Sequence, residues 1–401
     1  RAATALAEVV VAVTDRKDAD ADTVRTWAPG SFTLAALALP GVMASPALAQ
    51  SMPDSAFVAV KVQAYNDWQP GLDRIKVVAP SIYVLAPFAG NWSIESTLVH
   101  DSISGASPRW HTNISGASRM EDKRTAVDVK ATRYFDRWSV GLRGSNSTEN
   151  DYRSNAVALE VRLSSPDNNT TWVAGVGVTR DTINPVNELV VNQKKDVTDV
   201  MLGVTQTWTK NDLVQANLSY VRGRGYFNDP YKLADIRPRS RDQTIALLRW
   251  NHFIEGDNGT LAGSTVRSSY RFYSDTFGVR AHTGQVEWVK PVNDRFSVIP
   301  SARYYTQSAA NFYFDPVYDP EIGEPFPVGN PRYFSPDTRL SAYGAITLGA
   351  KVEWRIDQRW TADVKYERYE QRSAWRLGGN GSPGITKFSA QFVQLGISRR
   401  F

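Results

Sequence analysis

Ile346-Thr347-Leu348-Gly349-Ala350-Lys351-Val352-Glu353-Trp354-Arg355-Ile356-Asp357-Gln358-Arg359-Trp360-Thr361-Ala362-Asp363-Val364-Lys365-Tyr366-Glu367 is the stretch on which the fold turns. Ile346, Leu348, Ala350, Val352 and Trp354 alternate with Thr347, Gly349, Lys351, Glu353 and Arg355. Beyond Asp357-Gln358 the alternation resumes, with Trp360, Ala362, Val364 and Tyr366 against Thr361, Asp363, Lys365 and Glu367. Successive side chains of a strand take opposite faces, so each run has one apolar face and one small, polar or charged face. The tryptophans flanking the turn decide between the two classes that such strands allow. In a soluble sandwich the apolar face packs on a second sheet, and nothing calls for aromatics at the turns. In a membrane barrel that face meets lipid and is bordered by aromatics at the interface.

Working outward, the same grammar recurs. Trp172, Ala174, Val176 and Val178 alternate with Val173, Gly175, Gly177 and Thr179, and Val200, Leu202, Val204 and Trp208 with Met201, Gly203, Thr205 and Thr207. Trp92, Trp138, Trp172, Trp208, Trp354 and Trp360 all stand beside short polar turns, as an aromatic girdle at one membrane surface requires. Short turns fall near 89–91, 136–137, 166–169, 210–212, 255–259, 292–294 and 356–358. Longer segments near 102–121, 181–195, 223–240, 309–335 and 373–386 take turns with them, joined by shorter ones near 67–71, 147–151 and 274–278. Short periplasmic turns and long extracellular loops alternate in this way in outer-membrane barrels. The expected fold is all-β: a transmembrane up-and-down antiparallel β-barrel of about 16 strands, with about 14–18 as the range because boundaries read from pattern shift by a few residues. An even number puts both termini on the periplasmic side.

The last strand is the most specific local signal. Phe392-Val393-Gln394-Leu395-Gly396-Ile397-Ser398-Arg399-Arg400-Phe401 alternates and ends on an aromatic. It resembles the C-terminal signal read by the barrel assembly machinery, with Gln394, Gly396 and Phe401 in the matching places and Arg399 where an aromatic is usual.

At the other end, the apolar run Phe32–Ala44 is followed by Ala47-Leu48-Ala49 before Gln50. That is the pattern of a secretory signal and its cleavage site, and Pro40 and Gly41 interrupt it too early for a spanning helix. Residues 1–49 are therefore expected to be a signal peptide with an upstream extension, and 50–401 the barrel. A start placed too far upstream would explain the acidic run Asp15, Asp18, Asp20 and Asp22, with initiation near Val24. No later segment is apolar for long enough to be a transmembrane helix.

Composition narrows the chemistry. The chain has no cysteine, which excludes disulfides, thiolate metal sites and Cys nucleophiles. A formal charge of +5 is spread among acidic residues without a basic run, so a nucleic-acid partner is not expected. The low charged fraction of one strand face and the polar opposite face instead suit lipid outside, a polar lumen inside and a rim facing lipopolysaccharide.

Several stretches are similar to an uncharacterised Gram-negative outer-membrane β-barrel family known as a domain of unknown function. They are Gln69-Pro70-Gly71-Leu72-Asp73-Arg74-Ile75, Ser104-Gly105-Ala106-Ser107-Pro108-Arg109, Gly223-Arg224-Gly225-Tyr226-Phe227-Asn228-Asp229-Pro230-Tyr231-Lys232, Arg303-Tyr304-Tyr305-Thr306-Gln307-Ser308-Ala309-Ala310 and Phe312-Tyr313-Phe314-Asp315-Pro316. The resemblance runs from about Lys61 to Phe401. Members of that family are often encoded near a small lipoprotein, a thioredoxin-like protein and a flavin transferase. The resemblance thus implies an accessory role in an envelope system, redox- or flavin-linked, with a lipoprotein or redox protein as partner. It supplies no catalytic residue.

Candidate lumen-lining residues are Glu95, Asp128, Lys130, Glu160, Arg162, Lys351, Glu353, Asp363, Lys365 and Glu367. They either set a filtering field or form a self-neutralising network that stiffens the barrel; their mixed signs favour the network. If Trp354 faces Trp360, Lys351 falls opposite Asp363. Arg133 and Arg368 fall on the lipid-facing parity near strand ends, where they can snorkel to headgroups. The segment Asn311–Asp337, with Asp315, Asp319, Glu321 and Glu324, reads as a structured extracellular cap, with a lumen constriction or a Ca²⁺ loop as alternatives. Its acidic spacing lacks the tight Gly-containing pattern of calcium loops, so no metal and no cofactor is expected. Ile-Ser-Gly-Ala-Ser occurs at Ile103–Ser107 and again at Ile114–Ser118, either as a hairpin crown or as recurrent turn composition. His100 and His111, near Asp101, Ser102 and Ser104, are the candidates for a rim hydrolase, without a Gly-x-Ser-x-Gly elbow. The leading expectation is a non-enzymatic outer-membrane channel, porin-like or an accessory scaffold; an outer-membrane hydrolase is the alternative.

Overall fold

The computed structural model describes residues 52–106, 119–230, 232, 234–256, 259–315, 327, 329 and 331–401. The expectations for residues 1–49, His111, the second Ile-Ser-Gly-Ala-Ser copy and the carboxylates Asp319, Glu321 and Glu324 lie outside the described residues.

The alternating stretches form 16 strands: β1 (Phe57–Gln69), β2 (Leu72–Phe88), β3 (Trp92–Ala106), β4 (Arg119–Tyr134), β5 (Trp138–Thr148), β6 (Tyr152–Ser164), β7 (Thr170–Ile183), β8 (Gln193–Thr207), β9 (Asp212–Gly225), β10 (Ser240–Ile254), β11 (Ser264–Asp275), β12 (Arg280–Pro291), β13 (Phe296–Gln307), β14 (Tyr343–Arg355), β15 (Trp360–Arg372) and β16 (Phe388–Arg400). Each pairs antiparallel with its neighbours in sequence, and β16 returns to β1 to close the sheet. The closing ladder runs from Phe57 opposite Arg400 to Trp68 opposite Ser389. Closure leaves no strand with unpaired backbone groups, which is what a sheet immersed in hydrocarbon requires.

Connections separate by length onto two ends. The short turns, such as Ala89–Asn91 and Ile356–Arg359, lie at the end holding both termini. The segments 226–239, 308–342 and 373–387 lie at the other. The tight Pro70-Gly71 link, with Gly71 at φ 72°, also belongs to that loop end. A left-handed φ there is open to glycine at no steric cost.

The faces follow the sequence parity. Val62, Leu142, Val176, Leu202, Leu348 and Leu395 point outward and are exposed, while their strand neighbours line the interior. Bilayer crossing takes about 9–11 tilted residues, and most of these strands are longer: β2 has 17 residues and β8 has 15. The surplus extends past the apolar belt at the loop end, where outward positions turn polar: Arg153, Arg180, Lys194, Asp196 and Arg222 are all exposed.

The packed core lies inside the barrel, at its loop end. One cluster joins Tyr65, Ile75, Val77, Tyr343, Tyr369, Phe388 and Phe392; the other joins Val197, Val221, Ile245, Tyr273, Phe277, Val279 and Leu340. Tyr305 packs against both. Among the described residues no helix is long and apolar enough to cross a membrane, so membrane crossing rests on the strands. A closed barrel with a continuous apolar exterior and a polar interior is an outer-membrane barrel.

Candidate functional site: the lumen and its loop-end closure

Below the apolar layer the inner wall is polar and charged. On β3–β6, Lys130 Nζ lies 2.9 Å from Glu160 Oε1, Arg162 Nε lies 2.8 Å from the same oxygen, and Arg143 sits 3.5 Å from Asp128. Glu95 faces this group beside Tyr83 and Asp128. Lys130 reaches Glu160 across β5 because position 141 is glycine: a Cβ there would lie 2.6 Å from Lys130 Cε. The same device recurs at the closing strand. Lys61 on β1 and Asp363 on β15 stand 3.8 Å apart across Gly396 of β16, where a Cβ would fall 2.5 Å from Asp363 Oδ1. Gln394, fully buried, donates to Asp363 Oδ2 at 3.2 Å and accepts from Gln63 at 3.4 Å. Inside the barrel, Gln394 and Gly396 therefore hold the seam. Phe401 is exposed, with its backbone N–H on Ala56 O at 2.9 Å.

The pairing expected for Lys351 does not occur. Lys351 lies opposite Lys365, and Asp363 lies opposite Glu353, because Trp354 pairs with Ala362 rather than Trp360. Asp357 Oδ1 accepts from the backbone N–H groups of Arg359 and Trp360, both at 2.7 Å, and the turn is centred one residue later than expected, which shifts the register by two. The like charges are relieved along each strand instead, by Lys351–Glu353 at 2.5 Å and Lys365–Glu367 at 2.9 Å. All ten sequence-selected lumen residues face inward, but they fall into two mixed-charge walls, β3–β6 and β14–β15, that do not converge on one point.

A third wall escaped the sequence reading. Inward positions of β10–β13 carry Arg249, Arg267, Arg271 and Arg303 with Glu287 beside them, and nearer the mouth Arg241 paired with Asp275 at 2.7 Å. Arg303 donates to Thr347 Oγ1, and Arg249 to Gln215 Oε1 at 3.3 Å.

At the loop end two connections are clamped to each other. In the β9–β10 and β13–β14 connections, Asp337 accepts from Arg237 at 2.7 Å and from Arg339 at 2.5 Å, with Lys232 at 3.3 Å. Asp229 meets Lys232 and Arg339, both at 3.2 Å, and Asp235 meets Arg237 at 2.9 Å. A backbone bridge joins Ile236 to Phe334, and Asp337 caps the short 3-10 turn Thr338–Leu340. Burial alone would push the Asp337 carboxyl up, but Arg339, Lys232 and Arg237 outweigh it and hold the group well below the usual carboxylate range. Leu340, Ala310 and Phe312 pack on the inward-facing Val197, Val221, Ile245 and Tyr273. Ala310, Phe312 and Leu340 therefore pack against the inner wall at the mouth, while most of 316–330, on which the expected extracellular cap turns, lies outside the described residues.

The remaining candidates separate. His100 faces outward and contacts Thr125 Oγ1 at 3.0 Å. Asp101, its strand neighbour, points to the opposite face and is bonded by Arg124, so it cannot orient His100. Asp315 accepts from Tyr313 at 2.9 Å and from Gly384 N at 3.0 Å. The six tryptophans all stand at the turn end on the outward parity, with Phe135 stacked on Trp138 at 3.8 Å and Phe296 on Trp354 at 6.0 Å. Arg133 lies over Trp92 and Phe135, and Arg368 over Trp68 at 4.2 Å, so both outward arginines rest on rings at strand ends.

A family model described as "Protein of unknown function (DUF3570)" matches residues 114–193 and 187–392. No curated protein matches the chain. Among solved structures, CdiB from Acinetobacter baumannii is similar at 11% identity and TM-score 0.49, covering 85% of this chain and 60% of that one. A bacterial polysaccharide outer membrane secretin is similar at 8% identity and TM-score 0.47, covering 88% of this chain and 100% of that one. A Pseudomonas aeruginosa FadL homologue is similar at 11% identity and TM-score 0.43, covering 86% of this chain and 90% of that one.

Proposed function

The chain belongs to the DUF3570 family, whose description assigns no activity, and from its geometry we propose an outer-membrane channel held shut at its loop end. The observation that carries this reading is the buried Asp337 cluster joining two connections inside the mouth of a barrel whose wall below is polar. Mixed-charge pairs can stiffen a sealed barrel as well as a channel, so it is the basic wall of β10–β13 that favours a channel, because its donors can replace the hydration of a passing solute. The charge pairs of β3–β6 and β14–β15 stiffen the wall, and the third, basic wall is left to face the solute.

In this reading the six tryptophans mark the periplasmic interface, and the exposed Arg153, Arg180, Lys194 and Arg222 face lipopolysaccharide phosphates above the apolar belt. Gln394, Gly396 and Phe401 also serve as the strand that the assembly machinery reads. A redox- or flavin-linked partnership or a small lipoprotein partner has no support in the geometry. The hydrolase alternative lacks an oriented His100. Single-channel recording of the purified barrel in a planar bilayer tests the proposal. Small or rare openings are expected for the natural chain, and sustained large conductance for Asp337→Asn. A barrel that passes no current in either form would refute it.

A further inference from the structure

We infer that the basic inner wall of β10–β13 is an oxyanion site, which binds the carboxylate or phosphate group of a solute. The argument starts from Arg271. Its side chain faces inward and only 6% of the residue is exposed, yet among the described residues no carboxylate lies within ion-pair distance and Nε has no hydrogen-bond partner. Directly opposite on β12 is Thr283, 3% exposed, whose hydroxyl is also without a partner. A guanidinium stays charged at any pH a cell meets, and a buried charge is normally paired because leaving it alone costs several kcal/mol. The Arg271 guanidinium rests over the Tyr273 ring, 5.6 Å from its centroid, but its Nε and the Thr283 hydroxyl are adjacent buried donors without an acceptor, and they describe the binding half of an interaction whose acceptor comes from outside the chain.

The register shows how the site is built. Arg271 pairs with Leu247 on one side and Thr283 on the other. Arg249, opposite Ser269, is therefore a diagonal neighbour of Arg271 across the β10–β11 pair, within roughly 7–8 Å. Arg303, opposite Gln285, is likewise diagonal to Thr283 across β12–β13. Three guanidinium groups and a hydroxyl thus form a band over four consecutive strands. Their planar forks match the two oxygens of a carboxylate or phosphate. Two carboxylates face the band from its edges, each with one oxygen engaged, and the second oxygen of Glu367 is buried without a hydrogen-bond partner. Glu287 lies opposite Arg267 and accepts from Gln285 at 2.9 Å, and Glu367 is held by Lys365 at 2.9 Å. Above the band, Tyr273 and Tyr305 belong to the apolar layer that closes the mouth. An anion reaching the band from the turn end would therefore stop directly beneath the closure.

This inference deepens the channel reading by naming the class of solute, but binding can be measured without transport. Full-length barrel purified in detergent would be titrated calorimetrically with inorganic phosphate and with benzoate. Saturable binding of either probe is expected, weakened at least tenfold in Arg271→Gln and severalfold in the near-isosteric Thr283→Val. The exposed turn-end variant Lys210→Gln should bind like the natural chain. Heat-modifiable migration checks that each variant is folded, and Thr283→Val decides if Arg271→Gln does not fold. Absence of saturable binding to both probes, or binding that Thr283→Val and Arg271→Gln leave unchanged, would overturn the site. Binding intact in a barrel that passes no current would overturn the channel alone.

Discussion

Lys61 and Asp363 face each other at 3.8 Å across Gly396, so that β1 and β15 are tied over the very strand that closes the barrel. Both side chains are nearly buried, at 4% and 10% exposure. Removing one partner leaves the other charge uncompensated, which typically costs about 3–5 kcal/mol, whereas replacing both with apolar groups of similar volume is often neutral. Lys61→Met should therefore lower the urea midpoint of unfolding in lipid vesicles, and Lys61→Met with Asp363→Leu should recover most of the loss. A double variant as unstable as the single one would mean that the pair does not bridge the seam.

The Asp337 cluster makes a statement about pH. The carboxyl is held well below its ordinary value of 3.8 by Arg339, Lys232 and Arg237 against the opposing effect of burial. A depressed folded-state value contributes closure that is fully present above 3.8 and is lost as pH falls through the lower, folded value. Protease nicking of the 226–239 connection should accordingly stay constant from neutral pH down to about the ordinary carboxylate range. It should rise only in stronger acid. Loosening between neutrality and mild acid would show that another group controls the clamp.

Asp337→Asn removes the charge shared by three cations at all pH values. A buried pair broken on one side costs about 3 kcal/mol, or roughly a hundredfold in the docked-to-undocked ratio. The variant should be nicked rapidly at neutral pH while its barrel remains heat-modifiable. Unchanged nicking would mean that apolar packing of Leu340 and Phe312 alone holds the closure.

The two faces of β8 differ in what they tolerate. Leu202 is 59% exposed on the outward face, in the middle of the strand. Leu202→Arg places a charge in hydrocarbon and should destabilise folding into bilayers by about 2–4 kcal/mol. The neighbouring inward change Met201→Arg should cost clearly less. Equal costs would contradict the assignment of faces.

Much of this was legible in the sequence, for a reason that also explains what was not. Alternation has a period of two, so it fixes which face a residue takes and leaves its partner open, since a slip of two residues keeps every face. The strands, the short turns at 89–91 or 356–358 and the outward tryptophans follow from the first part. The opposition of Lys351 to Lys365 depends on where the Asp357-capped turn is centred, which no alternation reports. The arginine wall was hidden because β11 mixes Ser264 and Ser268 on its outward face with Tyr273 on its inward one, so the contrast between faces fades. The closure was hidden because Arg237 and Asp337 are 100 residues apart in sequence and meet only once the barrel has formed.

The absence of native cysteine makes one measurement especially direct. Single cysteines placed in turn from Asp196 to Gln206 on β8 would carry a nitroxide spin label in the reconstituted barrel. Collision rates with oxygen, which concentrates in lipid, and with a water-soluble nickel chelate would then be recorded. Val200, Leu202 and Val204 should favour oxygen, and Met201, Gly203 and Thr205 should not, giving a two-residue oscillation along the strand. Rates without that oscillation, or outward positions that prefer the aqueous relaxant, would contradict a lipid-facing barrel.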